Sequence, residues 1–240
     1  MKKAAVVFFV GALMVAADAN AQMLQWKDRG FLNASGGLTT GTKTVTTTLS
    51  FPLYDETATV ETTREIAESF LWDVTGGVRV KSNLGVALSV SGRSANSDGA
   101  ATASIPHPIF YEQPRTVSAT ISGMKHSEVW VSPLAVWMFP VTEQLEFMAM
   151  AGPTIVRVNH ETVGGVTVAE ASSPAVTVTL DSVSKSVWGF VAGVDGRYLV
   201  TKRIGIGGFA RYGVAKVNLT STTKLDIGGF QLGAGVRIRF

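Results

Sequence analysis

The chain of 240 residues contains no cysteine. That removes disulfides, thiolate metal sites and an acylated cysteine anchor from consideration. Charge is also scarce: Asp, Glu, Lys and Arg make up 16% of the residues, against roughly 25% in an ordinary soluble domain. Beyond the N-terminal segment, no stretch of about 18 residues is free of both charge and proline, so no transmembrane helix is expected. The nearest approach, Val129–Thr142, is interrupted by Pro133 and Pro140. Apolar residues are plentiful: they reach 46%, glycine numbers 25, and the mean hydropathy is +0.25. This combination excludes disorder, a disulfide-stapled miniprotein, a coiled coil and a multi-span helical protein. It leaves one β-rich domain whose apolar surface faces something besides its own core.

Lys2 and Lys3, the uncharged run Ala4–Ala17 and the small residues Ala19-Asn20-Ala21 have the three-part layout of a secretory signal peptide. The run is shorter than the ~20 residues a spanning helix needs. Residues 1–21 are read as a signal cleaved after Ala21, and 22–240 as the mature domain. Removing Lys2, Lys3 and Asp18 leaves 19 basic against 17 acidic residues. That near balance offers no basic face for nucleic acid.

The dominant period is two. Phe70, Trp72, Val74, Val78 and Val80 alternate with polar or small residues, as do Leu84, Val86, Leu88 and Val90. Trp188 to Tyr198 and Phe230 to Phe240 repeat the pattern. Alternation puts one set on each face of a strand. Eight strands are expected, at Gly30–Thr40, Ser69–Lys81, Leu84–Ala95, Ser127–Val141, Leu145–Asn159, Ser186–Val200, Ile204–Leu219 and Leu225–Phe240. Tight turns at Ser82-Asn83, Thr142-Glu143 and Thr201-Lys202 oppose long loops at Gly41–Glu68, Asn96–His126 and Glu161–Lys185, with a shorter one at Thr220–Lys224. An even strand count with short turns on one side and long loops on the other predicts an eight-stranded antiparallel transmembrane β-barrel.

The two faces decide which solvent the barrel meets. The polar set is Gly, Ser and Thr with isolated charges, and lacks the many Lys and Glu of a soluble exterior. Trp72, Trp130, Trp137, Phe139, Trp188 and Tyr198 lie near strand ends, as aromatic girdles do at bilayer interfaces. The apolar set is therefore expected to face lipid. Asp73, Arg79, Arg93, Glu146, Asp195, Arg197, Arg211, Arg237 and Arg239 fall on the other parity. They are expected to form a structural network of ion pairs that fills a narrow lumen.

The final strand ends in Phe240, with apolar Ile238, Val236 and Leu232 at alternate positions before it. It resembles the C-terminal assembly signal of bacterial outer-membrane proteins. The layout of residues 22–240 is similar to the small eight-stranded barrels of the OmpA/OmpX-like superfamily. The resemblance implies a Gram-negative-type outer membrane, contact with its lipid and lipopolysaccharide, and a monomer. It also implies passage past periplasmic chaperones and insertion by the barrel-assembly machinery. No room is left after Phe240 for the peptidoglycan-binding domain that some relatives carry, so a barrel with loops and no further domain is expected.

Motifs for chemistry are few. His107, His126 and His160 show no close metal-ligand spacing. All three fall in or beside expected loops, where a solvated histidine is the ordinary reading. Some small outer-membrane barrels modify lipids with a histidine and serine at the outer rim, and His126-Ser127-Glu128 lies at such a place. Neighbours on a strand point to opposite faces, however, so Ser127 and His126 would not readily meet. Gly205-x-Gly207-Gly208 sits inside an alternating strand and is no phosphate cradle. Gly76-Gly77 and Gly228-Gly229 are read in the same way, as strand bends or close packing. No cofactor and no metal is expected.

Specific function is expected in the long loops. The segment Ile105-Pro106-His107-Pro108-Ile109-Phe110-Tyr111 is apolar and stiffened by proline. It either packs over the barrel mouth or a neighbouring loop, or forms a partner-binding patch. The expected role is a non-enzymatic structural or surface-interaction protein. Two other classes stay open: a narrow channel or conduit for small solutes or hydrophobic molecules, and a lipid-modifying enzyme.

Overall fold

The computed structural model describes residues 24–66, 68–170, 175–218 and 224–240. The signal segment, its cleavage site and most of the Thr220–Lys224 connection lie outside them. Ten strands follow in order: β1 Gly30–Thr40, β2 Lys43–Leu53, β3 Glu56–Ile66, β4 Ser69–Lys81, β5 Leu84–Ile105, β6 Arg115–Pro140, β7 Leu145–Ala169, β8 Ala175–Leu199, β9 Ile204–Asn218 and β10 Lys224–Arg239. Eight of them close a ring. Its order is β1-β4-β5-β6-β7-β8-β9-β10, all antiparallel, and β10 returns to β1 with Phe31 opposite Arg239 and Thr40 opposite Phe230. A closed ring leaves no exposed strand edge in its wall. No helix among the described residues is long and apolar enough to cross a membrane.

The ring is built inside out relative to a soluble barrel. Leu88, Val236 and Trp188 are 51%, 47% and 71% exposed on its outer wall. Asn33, Asp73, Thr75, Ser89, Ser91 and Arg237 are buried inside. The two parities along β4, β5, β8 and β10 are those the alternation predicts. Glycine in the wall serves the interior at Gly228, which has φ +94 and packs against the ring of Trp130. A Cβ there would approach that ring to 2.9 Å and the carbonyl oxygen of Gly213 to 2.2 Å. Gly229 is also left-handed, φ +127.

Trp130 corrects one expectation. It lies in the lumen at 2% exposure, not in the outer girdle. Both faces of Val129–Trp137 are apolar, so hydropathy could not choose the parity there. The inward-facing neighbours Glu128 and Ser132 settle it. The other five girdle candidates do face outward, with Phe139 stacked on Trp137 at 5.2 Å.

The larger correction concerns the long loops. Gly41–Glu68 is mostly the β2–β3 hairpin, turned at Tyr54 and Asp55 with φ of 52° and 60°. This is the left-handed pair of a two-residue hairpin turn. The hairpin pairs with the far end of β5, from Thr59 opposite Ser104 to Arg64 opposite Gly99. Asn96–His126 extends β5 and β6, leaving 106–114 as the connection. Pairing of β6 with β7 stops at His126 opposite His160, beyond which the ring splits. A four-stranded sheet, β2-β3-β5-β6, then faces the β7–β8 ribbon across Ala58, Val60, Ala101, Ala103, Ile105, Ile121, Met124 and Val163. The chain thus has a second layered unit, a lobe with its own apolar core, standing on the loop side of the ring.

Candidate functional site

Seven of the nine inward charges read from sequence are buried, and Arg79 and Arg239 are half-buried. The lumen brings them together in pairs. Arg237 holds Asp195 in a two-point grip, Nε to Oδ1 at 3.0 Å and Nη2 to Oδ2 at 2.7 Å, and reaches Ser35 Oγ at 2.8 Å. Arg211 Nη1 donates to Asp73 Oδ2 at 2.6 Å, and that carboxylate also accepts from Ser89 and Thr75. Glu146 is shared by Arg197 and Arg239, the latter at 3.0 Å. Arg93 pairs with Glu128 and donates to Thr39 Oγ1 at 3.1 Å. Arg79 stands apart and donates to the backbone oxygen of Trp26. Fixed bidentate geometry suits Arg inside a narrow space, because each guanidinium needs several acceptors once water is excluded.

At the short-turn end, residues 24–29 enter the ring. Trp26 is buried against Phe31, Val136, Met138 and Met148. Its amide donates to Asn83 Oδ1 at 2.9 Å. Above it, Asn33, Met138, Glu146, Met148, Asp195 and Arg197 close around a space too small to hold a water molecule. Apolar plug and ion pairs together fill the cross-section. The sequence reading did not single out Trp26, because a lone tryptophan beside an expected signal carries no period.

The mouth between ring and lobe holds a second polar cluster. His126 and His160 are buried, not solvated as expected from their place beside loops. Their Nδ1 atoms lie 3.1 Å apart, and His126 Nε2 is 2.8 Å from Glu128 Oε1. Trp130 Nε1 donates to the other oxygen of Glu128 at 2.8 Å. Arg64 reaches in from β3 and donates to the backbone oxygens of Glu161 at 3.0 Å and Met124 at 3.4 Å. Burial lowers the Arg64 pKa, and the Glu161 charge opposes that shift. His160 is pushed down to about 3, first by burial and then by the Arg64 and His126 charges. Ser127 sits on the other face of β6 from His126 and Glu128, so the rim serine–histidine pair does not form. Glu128 and Arg64 were missed as cluster members. Their signal was parity alone: Glu128 shares a face with His126 and Trp130, and Arg64 with Val60 and Ile66. Among the described residues no group of three or more His, Asp or Glu could hold a metal ion.

The third cluster is the tip of the lobe, where the apolar segment singled out in the sequence divides. Ile105 and Pro106 are buried, whereas Ile109, Phe110 and Tyr111 are 80%, 54% and 70% exposed. His107 Nδ1 accepts from the amides of Ile109 and Phe110 at 3.1 and 3.2 Å. Arg115 clamps Glu170 at 2.8 and 2.6 Å and also donates to the oxygen of Pro106. The guanidinium holds the Glu170 carboxyl below the usual range. Tyr54 donates to Glu170 at 3.1 Å, and the amide of Glu112 to the Glu56 carboxylate. Three connections, from β2–β3, β5–β6 and β7–β8, are thereby tied at one point. Charge separates between the two units. Segments 41–68, 96–126 and 161–185 carry ten acidic against five basic residues, while the remainder of 22–240 carries seven against fourteen.

No family model matches the chain, and no curated protein matches it. Solved structures similar to it are small outer-membrane β-barrels. Neisserial surface protein A shares 16% identity over 88% of this chain and 97% of its own, with a TM-score of 0.48. The outer membrane protein OprG from Pseudomonas aeruginosa shares 8% over 89% and 97%, with a TM-score of 0.43. The outer membrane protease OmpT from Escherichia coli shares 9% over 92% and 99%, with a TM-score of 0.42.

Proposed function

We propose that the protein is a monomeric outer-membrane barrel without catalysis or an open pore, whose specific work is done by the lobe it holds above the membrane. In this reading the short turns face the periplasm and the outer wall contacts lipid and lipopolysaccharide. Leu232, Val236, Ile238 and Phe240 serve as the signal read by the barrel-assembly machinery after the chain is delivered by periplasmic chaperones. One observation carries the reading. The lumen is occupied from Trp26 at one end to Arg93 and Glu128 at the other, while a separately cored lobe projects beyond the apolar belt. Lipid around the ring is supported by Leu88, Val236 and Trp188, since apolar side chains exposed at this density on every strand would aggregate in water.

Purified protein in planar bilayers is expected to give no stable conductance. Cysteine placed at Tyr111 should react with an impermeant thiol reagent on intact cells, whereas cysteine at Ser82 should react only after the cells are opened. Steady porin-sized current, or the reverse labelling pattern, overturns the reading.

A further inference from the structure

We infer that the tip of the lobe binds a basic protein, its apolar side chains entering a pocket rimmed by Lys or Arg. The inference rests on the surface-exposed lobe proposed above. Ile109, Phe110 and Tyr111 are adjacent, exposed and apolar on a distal connection. Isolated exposed apolar residues need no explanation, but three together at a projecting point form a patch. The connection is also held in shape. His107 fixes the amides of Ile109 and Phe110, its ring lies 4.8 Å from that of Phe110, and Arg115 and Glu56 anchor the flanks. Order already present in the free protein lowers the entropy lost on binding, and aromatic anchors are the side chains that gain most from entering a pocket.

Charge selects the occupant. Asp55, Glu56, Glu112 and Glu170 belong to the same tip, against Arg115 alone, and Arg115 is already engaged by Glu170. The whole lobe carries the same sign in excess. An apolar loop that enters a bilayer is normally flanked by Lys and Arg, because lipid surfaces are anionic. This rim would repel such a surface. A second copy of the tip would meet like charge on like charge. A basic protein surface with an apolar pocket satisfies both the aromatic centre and the acidic rim, and the field of the lobe would steer it in.

The full chain in nanodiscs is to be panned against a random 12-residue peptide library displayed on phage, and the enriched peptides measured individually. Enrichment of peptides that combine Lys or Arg with aromatic or aliphatic residues is expected. Their affinity should fall about tenfold or more in the variant I109S/F110S/Y111S. It should fall several-fold in E56Q/E112Q, which keeps an oxygen to accept the Glu112 amide, and again on raising salt from 50 to 500 mM. Each variant is first checked for the mobility difference between unheated and boiled samples, so that a failure to fold is not mistaken for a failure to bind. Enriched peptides without basic residues, affinities that ignore E56Q/E112Q, or binding undiminished by the triple variant would each overturn the inference. So would tip-dependent binding of phosphatidylcholine or phosphatidylserine vesicles, which would make the tip a lipid anchor. Labelling of Y111C on intact cells separates the two levels: label without basic binders defeats this inference and leaves the surface lobe standing, and absence of label defeats the lobe itself.

Discussion

Ring and lobe share strands β5 to β8 and obey opposite rules. Along β5 the odd positions face inward throughout. In the ring they are Ser89, Ser91 and Arg93, and in the lobe Ala101, Ala103 and Ile105, all buried. The even positions do the converse: Leu84, Val86 and Leu88 are exposed on the ring, and Ala100, Thr102 and Ser104 on the lobe. One continuous strand therefore exchanges the chemistry of its two faces partway, as the proposed passage from lipid to water requires. The change coincides with a register shift between Ser97 and Gly99, where β6 carries an extra residue and Gly123 takes φ +70. A bulge increases local twist and re-aims the following side chains. It lets the β5–β6 pair leave the ring and face β7–β8. The period of two thus reports a strand, and only the identity of each set reports what that strand is dissolved in.

Removing one partner of a lumen pair should be the most damaging single change. Asp195→Ala leaves Arg237 buried without its carboxylate, and is expected to cost about 3–5 kcal/mol in denaturant unfolding from lipid or detergent. A loss under 1 kcal/mol would mean that water reaches Arg237 and that the lumen is more open than its contacts suggest.

Next comes the direct contrast between the two outer faces. Leu88→Arg and Val236→Arg should each cost about 2–4 kcal/mol at mid-bilayer depth. Thr102→Arg, on the same strand as Leu88 but on the lobe, should stay within about 0.5 kcal/mol. Equal costs would erase the distinction between a lipid-facing ring and a water-facing lobe. A smaller effect tests whether the lobe is a cooperative unit of its own. Ile105→Val should cost about 0.5–1.5 kcal/mol, seen as faster amide exchange in β2, β3 and the outer parts of β5 to β8. Exchange in the ring should not change.

The ring was legible from the sequence because a wall apolar on its outer face leaves a clear trace. Leu84 to Val90 and Phe230 to Phe240 are apolar on one parity and Gly, Ala, Ser, Gln or Arg on the other. The paired charges could be assigned a face, though not partners. Arg211 and Asp73 are 138 residues apart, and nothing local relates them. The lobe was hidden for three physical reasons. Its inner sets are diluted by Thr47, Thr62 and Arg64, its outer sets are threonine-rich and look like loop, and the extra residue at Gly123 breaks the alternation of 96–126. Trp130 failed for a related reason: a strand apolar on both faces has a period but no readable sign.

The smallest expected effect near neutral pH lies at the junction of the two units. His160 is pushed down to about 3 from an ordinary 6.5 by burial and by Arg64 and His126. Its proton is bound more tightly in the unfolded chain than in the folded one. The stability linked to it is therefore fully present above about pH 6.5, and is lost progressively as pH falls toward 3. At pH 6 the loss is under about 1 kcal/mol, and it grows with each further unit of acid. Protonating His160 would set a further positive charge beside those of Arg64 and His126, with Glu128 the buried carboxylate already shared by Arg93 and His126. The strain should be relieved where the structure is least tied, by the lobe lifting from the mouth while the ring stays closed. Amide exchange measured from pH 7.5 to pH 4.5, corrected for intrinsic rates, should show protection lost first around 124–126 and 158–162. His160→Asn should flatten that dependence in the lobe and leave the ring unchanged. Loss of protection spread evenly over ring and lobe would place the acid-sensitive group among the lumen pairs instead.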